Sequence, residues 1–135
     1  IDSFLLHDHI PLLQRLHYNE SDCIQQLYIE IGNHNHALIP DFVLLPYQTT
    51  GHYSAFAIIE AKKSIPNDKF LEETKTQARS YAKLLSTKYS VIAAQEGVWV
   101  TSSKDDYTTS IFVATWQELT DADTFFRLEK LVGKR

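Results

Sequence analysis

The 135-residue chain is long enough for one domain, 1–135, with a proper core, and 44% hydrophobic against 22% charged residues is ordinary globular composition. Thirteen Lys and Arg against seventeen Asp and Glu leave a net charge of −4, which argues against gripping nucleic acid by bulk positive charge. No apolar run approaches a membrane span, no signal peptide precedes the first helix, and the lone Cys23 cannot form an internal disulfide, so a reducing, cytoplasmic location is expected.

Residues 3–17 carry Phe4, Leu5, Leu12, Leu13 and Leu16 behind Ser3, which predicts a helix; Pro11 either kinks it or opens a second one. Asn19 to Gln26 reads as a short helical turn, capped by Asn19 or Ser21. Leu27–Ile31 alternates and reads as a strand, although Ile24, Leu27, Tyr28 and Ile31 also suit a helix. Gly32–His36 reads as a turn. Two apolar runs follow, Pro-Asp-Phe-Val-Leu-Leu from Pro40 and Tyr-Ser-Ala-Phe-Ala-Ile-Ile-Glu-Ala-Lys-Lys ending at Lys63, with a looser stretch through Pro46–His52 between them. Both are too short for helices and rich in β-branched and aromatic residues, so they read as adjacent strands.

Ser64–Asn67 is a connector containing Pro66. From Asp68, a candidate cap, Phe70, Leu71, Thr74, Gln77, Ala78, Tyr81, Ala82 and Leu85 recur at helical spacing, while Glu72, Lys75, Arg79 and Lys83 fall mostly outside that stripe. Tyr89–Gln95 then reads as a strand parallel to an earlier one, because a helix crosses between them. Glu96-Gly97 turns into a strand over Val98–Ser102, and Lys104-Asp105-Asp106 turns into another over Tyr107–Ala114. Thr115-Trp-Gln-Glu118 has capping-box spacing. A closing helix passes through Phe125, Leu128 and Val132 and stops at Gly133. The order α, β-β-β, α, β-β-β, α predicts an α/β fold, a mixed central β-sheet flanked by α-helices.

The stretch from Pro40 to Lys63 carries charges where burial should forbid them. Asp41 sits at the mouth of the first run, and Glu60 and Lys62 close the second. An ionised carboxylate against an apolar sheet costs several kcal/mol unless it is compensated. Residues i and i+2 of a strand share a face, so Glu60 and Lys62 project together while Ala61 turns away. If the two strands pair, Asp41 comes alongside Glu60. Two carboxylates and an ammonium at one spot suit a hard divalent cation beside a proton-handling amine.

Pro40-Asp41, eighteen residues, then Glu60-Ala61-Lys62 resembles the signature of the restriction-endonuclease-like nuclease superfamily. Gln77-x-x-x-Tyr81 resembles an extra motif of its RecB-type branch and of type I restriction enzymes. The run from Ile39 to Ser102 resembles the N-terminal nuclease domain of the type I restriction R subunit. The resemblance implies a restriction-endonuclease-like fold and a metal-dependent DNA endonuclease. Asp41, Glu60 and Lys62 would be catalytic, and Asp41, Glu60 and the Ala61 carbonyl would hold Mg²⁺, or Mn²⁺ in its place. Gln77 and Tyr81 would brace the site or touch the nucleic-acid backbone. DNA would be the substrate, and a helicase motor, modification and specificity subunits would be the partners. No Gly-rich ATP-binding loop with its Lys-Ser/Thr is present. The chain therefore reads as an excised domain or a stand-alone relative, and the absence of Met suggests a trimmed fragment or a relabelled chain.

Each residue also has a plainer reading. Asp41 would cap a turn after Pro40, and Glu60 with Lys62 would be a surface pair worth little. Gln77 and Tyr81 would be core-edge residues, and Cys23 a small buried hydrophobe. Glu30 alternates away from Leu27, Ile29 and Ile31, as an auxiliary ligand or as an exposed strand position. His34-x-His36 has same-face spacing for a metal but no Cys or third His beside it. Trp99 and Trp116 read as core. The competing function is a nuclease-fold module without chemistry, used for nucleic-acid binding or subunit docking. Such a relative would usually have lost one ligand, whereas all three residues are present.

Overall fold

Residues 12–25, 29–31, 34–38, 41–49 and 52–134 are described by a computed structural model. The part of the first predicted helix before Leu12, and Pro11 with it, lies outside the described residues. A six-stranded sheet organises the rest. Its strands are β1 (Cys23–Gln25), β4 (Phe42–Leu44), β7 (Ala57–Ala61), β8 (Tyr89–Ala94), β9 (Gly97–Ser102) and β10 (Ser110–Ala114), in the spatial order β1-β4-β7-β8-β9-β10. Only the central pair β7–β8 is parallel; the others run antiparallel. The parallel pair requires a crossover, and the predicted helix supplies it as α2 (Asp68–Leu84). A short α1 (Leu12–Arg15) and a closing α3 (Ala122–Val132) complete the helices among the described residues. The α/β reading with a mixed sheet flanked by helices holds.

Side-chain alternation divides the core into two layers. Phe42, Leu44, Ala57, Ile59, Val91, Ala93, Val98, Val100 and Phe112 face α1 and α3, where Leu13, Leu16, Phe125, Leu128 and Val132 close over them. The Arg15 guanidinium lies over the Phe125 ring, 3.8 Å from its centroid. On the other face Val43 and Ile58 meet Ala78, Tyr81, Ala82 and Leu85 of α2. Every residue of β8 is buried, as a strand covered on both faces must be. At the edge, β10 buries Phe112 and Ala114 and leaves Ile111 and Val113 exposed.

Several elements differ from the sequence reading. Glu20–Asp22 forms one 3-10 turn as expected, but Cys23–Gln25 leaves it as strand β1, drawn into the sheet by pairing with β4. The strand expected over Leu27–Ile31 is described only at Ile29–Ile31 (β2), which pairs with β3 (His34–Leu38) in a hairpin outside the main sheet. His34–His36 is therefore strand, where a turn was expected. The loose stretch before Tyr53 holds a second hairpin, β5 (Tyr47–Thr49) with β6 (His52–Ser54). Asn67, not Asp68, caps α2: its side-chain oxygen accepts from the Phe70 N–H at 2.8 Å. The last strand begins at Ser110, later than Tyr107, because Asp106 and Tyr107 both take left-handed backbone conformations. That corner is tied down. Arg79 and Lys83 both pair with Asp106, and the buried Tyr107 hydroxyl donates to the Thr87 carbonyl.

The capping box is real, with reciprocal Thr115–Glu118 bonds of 2.9 and 3.1 Å, but it opens a 3-10 turn, and Asp121 caps α3 itself. Gly133 does end α3, with φ −68 in place of a left-handed value. A side chain there would run into the Glu129 carbonyl, so a close approach selects glycine.

Candidate active site

β4 and β7 pair with Phe42 opposite Ile59. One step further along the same antiparallel register, Asp41 faces Glu60. Alternation puts both on the face covered by α2, since Val43 and Ile58 two residues away pack there. The Asp41 carboxylate accepts a 2.8 Å hydrogen bond from the Ala61 N–H, which ties the start of β4 to the end of β7. The predicted convergence of Asp41 and Glu60 is what the register produces.

Glu60 is only 4% exposed. Its Oε1 lies 3.8 Å from the Lys62 ammonium, whereas Oε2 is buried with no hydrogen-bond partner. Burial first, and the negative charge of Asp41 second, push its pKa up to about 8, while Lys62 pulls the other way. A surface ion pair would show none of this, so the plainer reading of Glu60 and Lys62 fails on burial. Lys62 itself is 28% exposed at the side chain and its N–H is held by the Ala93 carbonyl at 2.9 Å. The ammonium thus reaches Glu60 from the solvent side.

Tyr81 closes the site from α2. It is buried, and its hydroxyl accepts a 3.1 Å bond from the Gln77 amide. Burial raises its pKa most; the Gln77 bond lowers it, and the charges of Glu60 and Asp41 raise it again. Gln77 and Tyr81, one helical turn apart, therefore form a pair in which Tyr81 senses both carboxylates and Gln77 stands at the surface. Asp41, Glu60, Lys62, Gln77 and Tyr81 come together; the Ala61 N–H joins them through Asp41.

Other candidates lie elsewhere. Glu30 sits on β2, in the hairpin outside the six-stranded sheet, and the side chains of Glu30, His34 and His36 lie outside the described residues. Cys23 is half-buried, and burial with the nearby Asp22 charge pushes its thiol up to about 11, which makes it a poor nucleophile. Trp99 and Trp116 are half-buried at the rim of the core, with the Trp116 indole N–H donating to the Ala94 carbonyl at 2.6 Å. Lys63 is exposed.

Glu96 received no role from the sequence beyond its tight turn. Its carboxylate accepts two 2.7 Å bonds, from the Ser64 hydroxyl and the Ile65 N–H, in the connector just behind Lys62. An acidic residue at the end of the strand parallel to the Glu-x-Lys strand was the available signal, but only tertiary contact distinguishes it from any turn residue.

Among the described residues no group of three or more His, Cys, Asp or Glu side chains gathers as a metal cluster. An ion at this site would have the two carboxylates, main-chain oxygen, water and substrate as ligands, the pattern of Mg²⁺ more than of Zn²⁺. No protein-family model matches the chain, and no curated protein matches it. Among the described residues no helix is long and apolar enough to cross a membrane.

Proposed function

We propose that this domain is a restriction-endonuclease-like, metal-dependent DNA endonuclease of the type I restriction R-subunit kind. The supporting observation is the approach of the half-buried Asp41 to the buried Glu60 at neighbouring strand ends, with Glu60 Oε2 left without a hydrogen-bond partner. Ionising Glu60 beside a second carboxylate is costly, because two negative charges in a low dielectric repel, and without an ion the acid keeps its proton up to about pH 8. A divalent cation removes that cost. Asp41 and Glu60 would hold it, with the Ala61 carbonyl as a third ligand by resemblance. When bound, Mg²⁺ or Mn²⁺ polarises the phosphoryl oxygen and lowers the pKa of its water. Lys62, close enough to feel Glu60 and open to solvent, orients the attacking water or neutralises charge developing on the phosphate. Tyr81 and Gln77 brace the acidic pair from α2.

The net charge of −4 fits a domain whose grip on DNA comes from companion domains or subunits, such as a helicase motor with modification and specificity subunits. Plasmid DNA is expected to be nicked only with Mg²⁺ or Mn²⁺, and Asp41→Ala or Lys62→Ala should lower nicking by at least ~100-fold. Nicking that survives both substitutions would overturn the assignment. DNA binding without cutting under any metal, within the full assembly, would favour a silent docking module.

A further inference from the structure

The connector that leaves β7 links both halves of the site. Lys62 stands at its start, and Asn67, the cap of the helix that carries Gln77 and Tyr81, stands at its end. Between them the chain leaves the sheet: Gln95 N–H still reaches the Lys63 carbonyl at 3.3 Å, and beyond that point one side chain takes over. The Glu96 carboxylate receives the Ser64 hydroxyl on one oxygen and the Ile65 N–H on the other, both at 2.7 Å. These bonds hold its pKa below the ordinary value, Ile65 first and Ser64 second.

The turn that presents Glu96 is itself braced. The Trp116 indole binds the Ala94 carbonyl just before the turn. Gly97 just after it has φ +148 and lies so close to Ala114 and Thr115 that a Cβ would collide with the Ala114 carbonyl. The turn is therefore pressed against the end of β10, which fixes the backbone from which Glu96 reaches the connector.

We infer that Glu96 is a positioning residue of the site, a strut from the β8–β9 turn that sets Lys62 and the start of α2 relative to Asp41 and Glu60. Its effect on turnover rests on the nuclease reading; its effect on Lys62 does not. Misplacing a reacting group by about 1 Å costs up to ~100-fold in rate, so a strut two residues from Lys62 has kinetic weight without touching substrate.

The test reads Lys62 directly. Acetylation by an amine-reactive ester, mapped by peptide mass spectrometry, is expected to rise about threefold or more at Lys62 in Glu96→Ala, through local opening of the connector. Exposed Lys104 should label as in the wild type. Ser64→Ala, which keeps the Ile65 bond, should give a smaller rise, and Glu96→Gln, which can still accept from Ile65, should return most of the wild-type protection. In the nicking assay Glu96→Ala should lose about tenfold in kcat with KM for DNA unchanged. Unaltered Lys62 labelling in a folded Glu96→Ala protein would overturn the inference, as would an equal rise at every lysine, which marks general destabilisation. Nicking that persists in Asp41→Ala would remove the nuclease reading, and the labelling would still decide whether Glu96 holds Lys62.

Discussion

Glu60 concentrates the energetics of the site in one side chain. Its carboxyl has an ordinary value of 4.5 when the chain is unfolded and about 8 in the fold. A raised folded value means that folding favours the protonated acid. Below the unfolded value both states carry the proton and nothing is lost. As pH rises towards about 8 the unfolded chain ionises first, so ion-free stability falls across that window and levels off above it. The loss amounts to a few kcal/mol, at about 1.4 kcal/mol for each pH unit separating the two values. Urea melts in EDTA from pH 4 to 9 should show this decline, and Glu60→Gln should flatten it and be the more stable protein at pH 8. Mg²⁺ at pH 8 should recover stability in the wild type and not in the glutamine variant. An equal slope in both proteins would assign the pH dependence to other groups. The charge at the end of an apolar run was visible in the sequence; its burial and its orphaned oxygen were not, because both depend on α2 lying over the strand.

At the scale of elements, α2 was legible because its apolar stripe repeats every three or four residues over more than four turns. Its boundary was less so, since Asn67 and Asp68 are both good caps and only the backbone conformation decides between them. The extended Asn67 backbone, φ −159, aims its side chain at the Phe70 N–H. Asn67→Ala should therefore cost about 1 kcal/mol in urea unfolding, and Asp68→Ala markedly less. A larger loss in Asp68→Ala would reverse the assignment. The short strands fared differently. Residues 34–38 and 47–54 carry polar and apolar side chains in no clean alternation, and hairpins outside the main sheet have little period-2 signal to read. The start of β10 was misplaced for another reason. Asp tolerates left-handed backbone but Tyr rarely adopts it, so the residues do not announce two in a row, and the pairing of Asp106 with Arg79 and Lys83 holds the corner from α2.

For the molecule as a whole, the sheet is held as a sandwich between α2 on one face and α1 with α3 on the other. The α1–α3 layer is the larger, and Leu128 is fully buried in it. Leu128→Ala should lower stability by about 2–5 kcal/mol. If the α1–α3 layer takes no part in the site, this variant should keep metal-dependent nicking at temperatures well below its melting point. Lost cleavage in a protein still folded by circular dichroism would show that the far layer also shapes the site. The two ends of the described chain are joined in this layer, through Lys134 to Asp22 at 2.8 Å and the Tyr18 hydroxyl to the Val132 carbonyl at 2.6 Å.

The chemical parts can be read from the residues alone: two carboxylates and an ammonium at the ends of apolar strands, a long amphipathic crossover helix, and a closing helix with its apolar face. Such features are local, written in spacing and residue type, and survive without knowledge of partners. Tertiary structure alone decided their meeting. The offset of β4 against β7 places Asp41 beside Glu60, the packing of α2 strips water from Glu60, and the β8–β9 turn brings Glu96 to the connector across 31 residues of chain. Register and burial are properties of pairs of segments, and no single stretch of residues encodes them.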